Sequence, residues 1–377
     1  MLGYLTIGDS PSGIFSSQVI DTCRFLSEIS GKKVKLFSLV TIRGFWSKRM
    51  KIKEEYPNSF VFPMFPKLEN WRLNYFSLFF IFHYFKGYSI FCRQSIPTVL
   101  AVKLRKKGLV NKVVYDARGC EYEQIVEYNV IENEKLTKDF KKNEEMSSND
   151  SDIQLSVSKA LIEYWREKFH YLKHDYFIIP STFPIDLHKD EDLSLSRESL
   201  GFSKEDLIFV YSGSVSGWQS FKLMFSFLQQ HLKIYPNLKI LLLTQKTQEV
   251  IRFINMFEDR VLHFWLPTNK VKSYLELADY GILIREKSVT NFVASPIKFA
   301  EYLQAGLKVI VNEGSIEQSI SFIAKHQCGI IYNGEEVVEL APLRLDEKAI
   351  NKSLAAMYYS KQGDKNKALY KQIVTQC

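Results

Sequence analysis

The chain has 377 residues, of which 46% are hydrophobic and 24% charged, and its formal net charge is +8. This composition is typical of globular proteins and excludes a disordered chain, a collagen-like fibre and a coiled coil. At about 150 residues per domain, the length predicts two domains.

The chain opens on an apolar stretch at residues 1–7 that has no basic residues before it and no small-residue cleavage site after it. This pattern predicts a first strand at residues 3–7 rather than a secretion signal, so we expect a cytoplasmic protein. The cysteines support a reducing compartment, because they are odd in number, lie far apart and form no C-x-x-C pair. They are Cys23, Cys92, Cys120, Cys328 and Cys377.

The first predicted strand ends in the turn GDSPSG at residues 8–13, ahead of a helix predicted at residues 17–29. The turn is neither G-x-G-x-x-G nor a Walker loop, so no motif indicates ATP or a dinucleotide. An ordinary strand-to-helix turn is one interpretation of it.

Positive charge is concentrated in the first 110 residues, which contain 17 Lys or Arg and 6 Asp or Glu, a net charge of +11. The remaining residues carry a net charge of −3. This asymmetry predicts an anionic partner for the first half, such as lipid headgroups, a phosphorylated acceptor or nucleic acid. A solvated lysine-rich surface is the alternative.

The most apolar segment is YFSLFFIFHYF at residues 75–85, which as a helix is too short to cross a bilayer. It predicts either a buried helix or a surface helix whose aromatic side chains enter a membrane interface. In the second interpretation Arg72 and Lys86 would meet lipid phosphates. The aromatic residues would then be Trp71, Tyr75, Phe76, Phe79 and Phe80.

Strand and helix patterns alternate along the whole chain, which predicts parallel sheets covered on both faces. A long polar helix is predicted at residues 121–146, with fraying near 147–150, and a linker at residues 180–196. The strands predicted after the first lie at 34–39, 89–92, 112–115, 153–157, 207–211, 238–244, 261–265, 280–284, 308–311 and 330–332.

The predicted fold class is therefore α/β, with two Rossmann-like, doubly wound lobes and a cleft between them. The predicted domains are residues 1–184, residues 185–345, and a helical tail at 346–377 that packs back on the first lobe. In such folds ligands bind outside the carboxyl ends of the strands.

The segment NFVASPIKFAEYLQAGLKVIVN at residues 291–312 predicts a helix and then a strand. Ser295 suits the N-cap, Pro296 suits the first helical position, and Gly306 suits a left-handed residue after the helix. Backbone N–H groups at the start of this helix can hold a diphosphate.

Lys298 and Glu301 lie three residues apart on this predicted helix, and so on one face of it. This arrangement suits a nucleotide, with Lys298 on phosphate oxygens and Glu301 accepting from the two ribose hydroxyls. A surface ion pair between the two side chains is the alternative.

Asp116 and Arg118 follow a predicted strand at its carboxyl end. Asp116 can accept a proton from a substrate hydroxyl, and Arg118 can bind a phosphate or a carboxylate with both of its forked nitrogens. A buried ion pair that braces the turn is the alternative.

The segment at residues 291–312 resembles the donor-site signature of retaining glycosyltransferases with the GT-B fold, especially family 4, in which S-P-x-K-x-x-E-Y-x-x-x-G-x-x-V-I is common. Further similarities are Y-D-x-R-G at residues 115–119, found in some polysaccharide-building members, and the serine-bearing segment at 155–158. The residues that match the signature are Ser295, Pro296, Lys298, Glu301, Tyr302, Gly306, Val309 and Ile310.

The resemblance implies roles for residues in both lobes. Gly213 resembles the glycine of the family's phosphate-side loop, whose missing side chain lets the donor approach, and Ser214 follows it in that loop. The donor-binding residues are then expected to be Gly213, Ser214, Ser295, Lys298 and Glu301. In the first lobe the turn at 8–13 resembles the one that approaches the acceptor, so Ser12 and Gly13 are expected to bind it, and Asp116 and Arg118 are expected to be catalytic.

This chain departs from the family at three positions. The first glutamate of the family's Glu-x7-Glu pair corresponds to Val293, and the usual Arg and Lys after the phosphate-loop glycine correspond to Ser214 and Gln219. More of the phosphate charge would then fall on Lys298 and the helix dipole. Other cations that could contribute are Lys222, Arg285 and Lys287.

The resemblance implies a retaining glycosyltransferase that moves a sugar from a nucleotide diphosphate, UDP above all, to a saccharide acceptor. The basic first lobe suggests a lipid-linked acceptor at the inner face of the plasma membrane, as in capsule, O-antigen or cell-wall polysaccharide synthesis. No cofactor or metal is expected, because the chain has no H-E-x-x-H motif and the Asp-x-Asp of Asp190 and Asp192 lies in the predicted linker.

Two alternatives remain open. The three departures are compatible with a GT-B partner subunit that binds a sugar nucleotide without catalysis. The charge of the first lobe is compatible with an enzyme that glycosylates DNA bases, although we expect nucleic acid not to be the partner.

Overall fold

The computed structural model describes residues 1–183, 195–334 and 340–377, so most of the predicted linker at 180–196 lies outside the described residues. The chain divides into two compact units. The first unit comprises Met1–Ile185 and Lys361–Cys377, and the second comprises Asp186–Ser360.

The first unit is built on a seven-stranded sheet in the order β3-β2-β1-β4-β5-β6-β7. Its strand pairings are parallel, as the alternating pattern predicts. The strands are β1 (Leu2–Ile7), β2 (Lys35–Val40), β3 (Ser59–Pro63), β4 (Tyr88–Arg93), β5 (Val110–Asp116), β6 (Ile153–Ser156) and β7 (Tyr176–Ile178).

Helices cover both faces of this sheet, so the inner strands are apolar along almost their whole length. The first helical segment follows β1 and runs from α1 (Gly13–Phe15) through a π-helical stretch (Ser16–Ile20) into α2 (Asp21–Ser30). The later helices are α3 (Phe45–Glu55), α4 (Asn74–Tyr84), α5 (Ser95–Lys106), α6 (Glu121–Glu127), α7 (Glu134–Asp150) and α8 (Lys159–Phe169).

The long helix predicted at residues 121–146 is wrong in two respects. It is divided into α6 and α7, with Asn129 between them in a left-handed conformation (φ +48°), which a continuous helix does not contain. The predicted fraying at 147–150 is also absent, because α7 continues to Asp150 and buries Ser147 and Ser148.

The apolar segment at 75–85 forms most of α4, which places one face in the core and the other in solvent. Leu78, Ile81 and Phe82 are in the core, whereas Phe76 and Phe80 are 58% and 71% exposed. In the described parts of the chain, no helix combines the length and the apolar character that spanning a membrane requires.

The second unit has a six-stranded parallel sheet in the order β10-β9-β8-β11-β12-β13. All six strands were predicted from the sequence to within one residue at each end. They are β8 (Leu207–Ser212), β9 (Leu238–Leu243), β10 (Val261–Phe264), β11 (Tyr280–Leu283), β12 (Lys308–Asn312) and β13 (Gly329–Tyr332).

Seven α-helices in the described residues surround the second sheet or connect its strands, together with short 3-10 turns such as Gly217–Gln219. The helices are α9 (Phe221–Ile234), α10 (Gln248–Met256), α11 (Thr268–Glu276), α12 (Val289–Phe292), α13 (Ile297–Gln304), α14 (Glu317–His326) and α15 (Leu345–Tyr359).

The predicted tail at 346–377 divides between the two units. α15 lies in the second unit, where the Asn351 side chain donates to the carbonyl of Gly306 (3.2 Å). The following helix, α16 (Asp364–Gln376), lies in the first unit, where Tyr370 and Ile373 enter the core and the Tyr370 ring meets Phe25 at 5.3 Å.

In both sheets the strand order reverses beside the first strand of the unit, between β1 and β4 and between β8 and β11. The crossover connections leave the sheet in opposite directions at this point, which opens a crevice outside the carboxyl ends of the two strands. The topology therefore predicts that a ligand binds at one or both of these crevices.

Gly281 in β11 leaves room for the ring of Tyr302, which holds the end of β8 beside the crevice of the second sheet. A Cβ at Gly281 would lie 2.2 Å from Cδ2 of Tyr302, and Tyr302 Oη accepts from the Ser212 N–H at 2.9 Å. Gly281→Ala should therefore displace the Tyr302 ring and destabilise the second unit by roughly 1–3 kcal/mol, as overpacking does. Chemical denaturation measures this loss.

A tyrosine variant provides the control for this prediction. In a Tyr302→Leu background the ring that Gly281→Ala would strike is absent, so the further loss of stability should be small. Equal losses in the two backgrounds would contradict the steric explanation.

Candidate functional site

The second unit concentrates its predicted site residues at the carboxyl ends of β8 and β11. Gly213 follows β8 directly, and Arg285 follows β11 after one residue. Lys298 reaches the same place from the first turn of α13. The topology thus brings together residues that are up to 85 positions apart in sequence.

Gly213 and Lys298 are in direct contact. Gly213 has φ +137°, and a Cβ there would lie 2.3 Å from Cε and 2.6 Å from Nζ of Lys298. Any other residue would therefore occupy the space that the lysine side chain takes. The family resemblance predicted both residues in the donor site, and here the glycine makes room for the lysine.

The Lys298 ammonium is buried among neutral partners. It donates to Tyr211 Oη and to Gln219 Oε1, both at 2.7 Å, and lies 4.1 Å from the centre of the Tyr211 ring. Burial, with the neighbouring charge of Arg285, holds the pKa of Lys298 well below its ordinary value. A bound anion would reverse this effect by favouring the charged amine.

Gln219 connects the lysine to a second cation. Its Oε1 also accepts from Nη2 of Arg285 at 3.1 Å, and Arg285 Nη1 donates to Asn291 Oδ1 at 3.2 Å. Gln219, Arg285 and Asn291 are all less than a tenth exposed. Gln219, which stands where the family has a cation, therefore accepts hydrogen bonds from both Lys298 and Arg285 through its one amide oxygen.

The sequence did not predict this role for Gln219 or Asn291, and it named Arg285 only as one of three cations that could contribute. The structure places the Arg285 side chain on the same Gln219 oxygen that holds Lys298. Lys222 and Lys287 are exposed on the surface, whereas the Arg285 guanidinium reaches Gln219. The signal that could have found Arg285 is its position just after a strand beside the strand-order reversal.

The start of α13 differs by one residue from the prediction. Pro296, with ψ 130°, is the N-cap, and the helix begins at Ile297, so the prediction of Ser295 as the N-cap is wrong. Proline lacks a side-chain acceptor, so Pro296 makes no capping hydrogen bond with its side chain. The predicted end is confirmed, because Gln304 is the last helical residue and Gly306 has φ +89°.

Glu301 lies one turn further along α13 and is partly buried. Its carboxylate makes no hydrogen bond and no ion pair with the residues that the structure describes, so the predicted alternative of a Lys298–Glu301 pair does not form. Burial raises the pKa of Glu301 to about 7, and Lys298 opposes this rise. A carboxylate in this state gains from any ligand that donates hydrogen bonds to it.

The remaining positions of the predicted donor site differ in exposure. Ser295 is 8% exposed, whereas Ser214 is exposed and its hydroxyl lies 3.0 Å from that of Ser216. Val293, which replaces a family glutamate, is 1% exposed. An apolar side chain thus occupies the position where the family signature has a carboxylate.

In the first unit, Asp116 and Arg118 form an ion pair at the end of β5. Arg118 Nη2 donates to Asp116 Oδ2 at 2.9 Å, Tyr4 donates to the same oxygen, and Arg118 Nη1 donates to Gln18 Oε1 at 3.0 Å. Asp116 is 1% exposed. This geometry agrees with the predicted alternative of a buried ion pair, because Arg118 and Tyr4 share one carboxylate oxygen and little of Asp116 reaches solvent.

Ser12 and Gly13 lie at the start of the helical segment that follows β1. Ser12 is the N-cap of α1 and accepts from the Phe15 N–H at 3.2 Å, and both residues are exposed. Asp9, in the same turn, pairs with Arg93 at the end of β4 (3.7 Å). These residues flank the strand-order reversal of the first sheet, which is compatible with their predicted role in acceptor binding.

The pH dependence of uridine binding tests the role assigned to Glu301. An ionised carboxylate accepts from ribose hydroxyls more strongly than a protonated one. With a pKa of about 7 in the free protein, Glu301 is mostly protonated below that pH. Uridine affinity should therefore rise as the pH increases from about 6 to about 8. Calorimetric titration at several pH values measures it.

Uridine rather than UDP is the ligand for this experiment, since it has no phosphate that titrates in the same range. Glu301→Gln should remove the pH dependence, and Glu301→Ala should weaken binding by more than about 1 kcal/mol. Unchanged affinity in a folded Glu301→Ala variant would contradict the assignment.

Comparison with known proteins gives matches in structure only. No protein-family model matches the chain, and no curated protein matches its sequence. Among solved structures, it is similar to sucrose-phosphate synthase from Thermosynechococcus elongatus, with a TM-score of 0.67 and 12% identity over 100% of this chain and 98% of that one.

Two further structures are similar over nearly their whole length. HepE of Anabaena in complex with UDP and glucose has a TM-score of 0.68 and 12% identity, over 100% of this chain and 99% of that one. The N-terminal domain of trehalose-6-phosphate phosphatase from Candida albicans has a TM-score of 0.66 and 12% identity, over 99% and 96%.

These likenesses establish the architecture. The chain has the GT-B fold, with two doubly wound parallel-sheet units, as the sequence predicted. At this level of identity the likeness concerns the fold, so the narrower resemblance to family 4 stays a prediction. In the described residues, no group of three or more His, Cys, Asp or Glu side chains is arranged to hold a metal ion.

Proposed function

We propose that the protein is a glycosyltransferase that uses a sugar linked to a nucleotide diphosphate, with UDP as the nucleotide. The observation that carries the proposal is the buried Lys298 ammonium, which lies against Gly213 with neutral partners at the strand-order reversal of the second sheet. A buried cation is favourable when an anion binds it, and a diphosphate supplies that anion.

The surroundings of Lys298 support a diphosphate rather than a single carboxylate. The Arg285 guanidinium is held on the same Gln219 oxygen, so a ligand with two negative groups could meet both cations. The N–H groups of the first turn of α13 add partial positive charge beside Lys298. Glu301, one turn deeper, would accept from the ribose hydroxyls.

The structural neighbours support UDP as the nucleotide. HepE of Anabaena has been solved in complex with UDP, with UDP and glucose, and with UDP-glucose. The fold of this chain follows HepE along its full length, so a UDP-sugar is the first donor to test.

In the proposed reaction, the bond between the anomeric carbon and the diphosphate oxygen breaks and the acceptor oxygen forms a bond to the same carbon. Lys298 and the α13 amides would stabilise the charge that develops on the leaving diphosphate. The proton of the acceptor hydroxyl would pass to a phosphate oxygen of that leaving group, so no enzyme nucleophile is required. We propose that the anomeric configuration is retained, as the family resemblance implies.

The acceptor would be a saccharide, free or lipid-linked, that belongs to the synthesis of a bacterial surface polysaccharide such as capsule or O-antigen. The first unit would bind it through Ser12 and Gly13, with Arg118 near a phosphate or a sugar carboxylate. The net charge of +11 in the first 110 residues supports an anionic acceptor and contact with the inner face of the plasma membrane.

A second candidate is a sugar-nucleotide-binding protein without transferase activity. Val293 favours it, because a buried valine takes the place of the carboxylate expected to contact the transferred sugar. Such a protein would bind UDP through the same cations and release no product.

Two measurements with the purified chain separate these candidates. Titration with UDP tests the site, and release of UDP from a panel of UDP-hexoses, with and without saccharide acceptors, tests turnover. Binding with turnover supports the transferase, whereas binding without turnover of any donor supports the second candidate. Failure to bind UDP, UDP-glucose and GDP alike would reject both.

The Asp116→Asn variant distinguishes an Asp116 that acts as a base from one that is the buried ion-pair partner of Arg118. If Asp116 is the base, Asp116→Asn should abolish turnover while thermal stability stays near that of the wild type. If it is the buried partner of Arg118, the same change should lower stability, since it leaves a buried cation without its counter-ion. The catalytic roles of Asp116 and Arg118 stay predictions until this is measured.

A further inference from the structure

The helix α3, in the basic first unit, exposes large apolar side chains to solvent. Trp46 and Met50 are 72% and 70% exposed, and Ile42, in the turn before the helix, is 55% exposed. Because Trp46 and Met50 are four residues apart, they share one face of the helix. Ile52 is the one residue of α3 that is buried, so most of this helix contributes little to the core.

Cations surround these apolar residues. Residues 41–53 contain five Lys or Arg and no Asp or Glu, and acidic residues return only at 54 and 55. Arg43, Lys51 and Lys53 are exposed and have no ion pair with the described residues. We call Ile42, Trp46, Met50, Arg43, Lys51 and Lys53 together the α3 face, in which Lys53 lies on the same side of the helix as Trp46 and Lys51 lies at the edge.

The combination of exposed apolar side chains and cations indicates which kind of partner covers the α3 face. A second copy of the chain would place like charges opposite one another in a symmetric contact, which disfavours association. The phosphates of duplex DNA would pair with the cations but offer the aliphatic side chains of Met50 and Ile42 no apolar contact. An anionic lipid surface offers both, since headgroups meet the cations and acyl chains accept the apolar side chains.

We propose that the α3 face docks the first unit onto an anionic lipid bilayer, with Trp46 and Met50 in the interface and Arg43, Lys51 and Lys53 on lipid phosphates. Tryptophan is enriched at this depth of a membrane because its ring is apolar and its N–H is polar. The proposal rests on the membrane contact included in the proposed function, and it names the surface that makes this contact.

Vesicle flotation of the full chain without any sugar nucleotide tests the proposal. Vesicles of phosphatidylcholine containing about one third phosphatidylglycerol should bind the chain, and pure phosphatidylcholine should bind it at least tenfold more weakly. Trp46→Ala/Met50→Ser should lower binding to the anionic vesicles about tenfold or more. Lys51→Glu/Lys53→Glu should produce a similar loss that high salt does not increase.

A matched pair in the second unit controls for the loss of exposed apolar residues in general. Met256 and Trp265 are each 60% exposed, so Trp265→Ala/Met256→Ser removes the same two residue types at similar exposure. This variant should bind the vesicles like the wild type. Thermal unfolding of all variants should be close to that of the wild type, because the changed side chains are exposed.

Three outcomes would overturn the proposal. One is vesicle binding that survives the Trp46→Ala/Met50→Ser change, or that is lost instead in Phe76→Ser/Phe80→Ser on α4. Another is a dimer, seen by light scattering, that the α3 variants disrupt. The third is binding to a short DNA duplex that is tighter than binding to anionic vesicles.

The proposed transferase function is tested separately from this surface. UDP titration in solution does not involve the α3 face, so the docking variants should bind UDP normally. Loss of vesicle binding with intact UDP binding would support the proposal, whereas failure of UDP binding in the wild type would reject the proposed function and leave the docking result standing.

Discussion

Replacing Lys298 with methionine should lower the affinity for UDP about a hundredfold. Methionine has a similar length but no charge, so the diphosphate would lose its buried cation while the packing against Gly213 would largely remain. Hydrogen bonds to charged groups contribute about 1.5–3 kcal/mol each, which corresponds to a loss of this size. Titration calorimetry with UDP measures the change.

Uridine provides the internal control for this prediction. Because it carries no phosphate, its affinity should be nearly the same in the wild type and in Lys298→Met. A second control is Lys308→Met, since Lys308 lies in the same unit but pairs with Glu347 at 2.6 Å. An equal loss for uridine and UDP, or a loss in Lys308→Met as large as that in Lys298→Met, would show that Lys298 does not bind the phosphates.

Gly213→Ala should reduce UDP affinity to a comparable degree. The new methyl group would lie 2.3 Å from Cε of Lys298, so the lysine would have to leave Tyr211 and Gln219. The backbone at φ +137° is also one that residues with a side chain rarely adopt, so some loss of stability is expected as well. UDP titration and chemical denaturation measure the two effects.

A control at a second glycine separates the effect of backbone strain from the effect of displacing Lys298. Gly201 has φ +77°, and a Cβ there would have no atom within 4 Å. Gly201→Ala should therefore lower stability by about 1 kcal/mol through backbone strain and leave UDP affinity unchanged. If Gly213→Ala bound UDP as tightly as Gly201→Ala does, the contact between Gly213 and Lys298 would have no part in binding.

Much of the fold could be predicted from the sequence, because buried parallel strands are continuous apolar runs between helices. The two strands that were missed, β3 and β7, are at the edges of the first sheet. β3 ends at Pro63 and lies in a segment with several prolines, and β7 has three residues. Both contain aromatic and β-branched residues that suit a strand, but each run is short and a proline lies at or just after its end, so pairing with a neighbouring strand defines both.

The division of the predicted helix at 121–146 has a similar explanation. The polar residues of this segment favour a helix locally, and no proline or glycine marks a break. α7 instead starts at an N-cap, Asn133, whose side chain accepts from the Leu136 N–H at 3.1 Å. Asparagine is a common N-cap, but one asparagine among several in the segment is a weak signal.

The candidate donor site was predictable only in part. Lys298, Glu301 and Gly213 belong to recognisable motifs, so the resemblance found them. Gln219 lies 79 residues from Lys298 in sequence, and the hydrogen bond between them arises from the strand order rather than from any local pattern. In the sequence Gln219 is only an uncharged residue at a family cation position, whereas the structure shows its side-chain oxygen accepting from both Lys298 and Arg285.

The return of α16 to the first unit has a consequence for biosynthesis. Tyr370 and Ile373 are part of the core that also contains β1, so that core lacks two of its side chains until the ribosome has released residues 361–377. Translation proceeds at about 5–20 residues per second, so the first unit would wait for the whole second unit to be synthesised. Nascent chains arrested before residue 361 should accordingly be more sensitive to protease in residues 1–183 than the released protein.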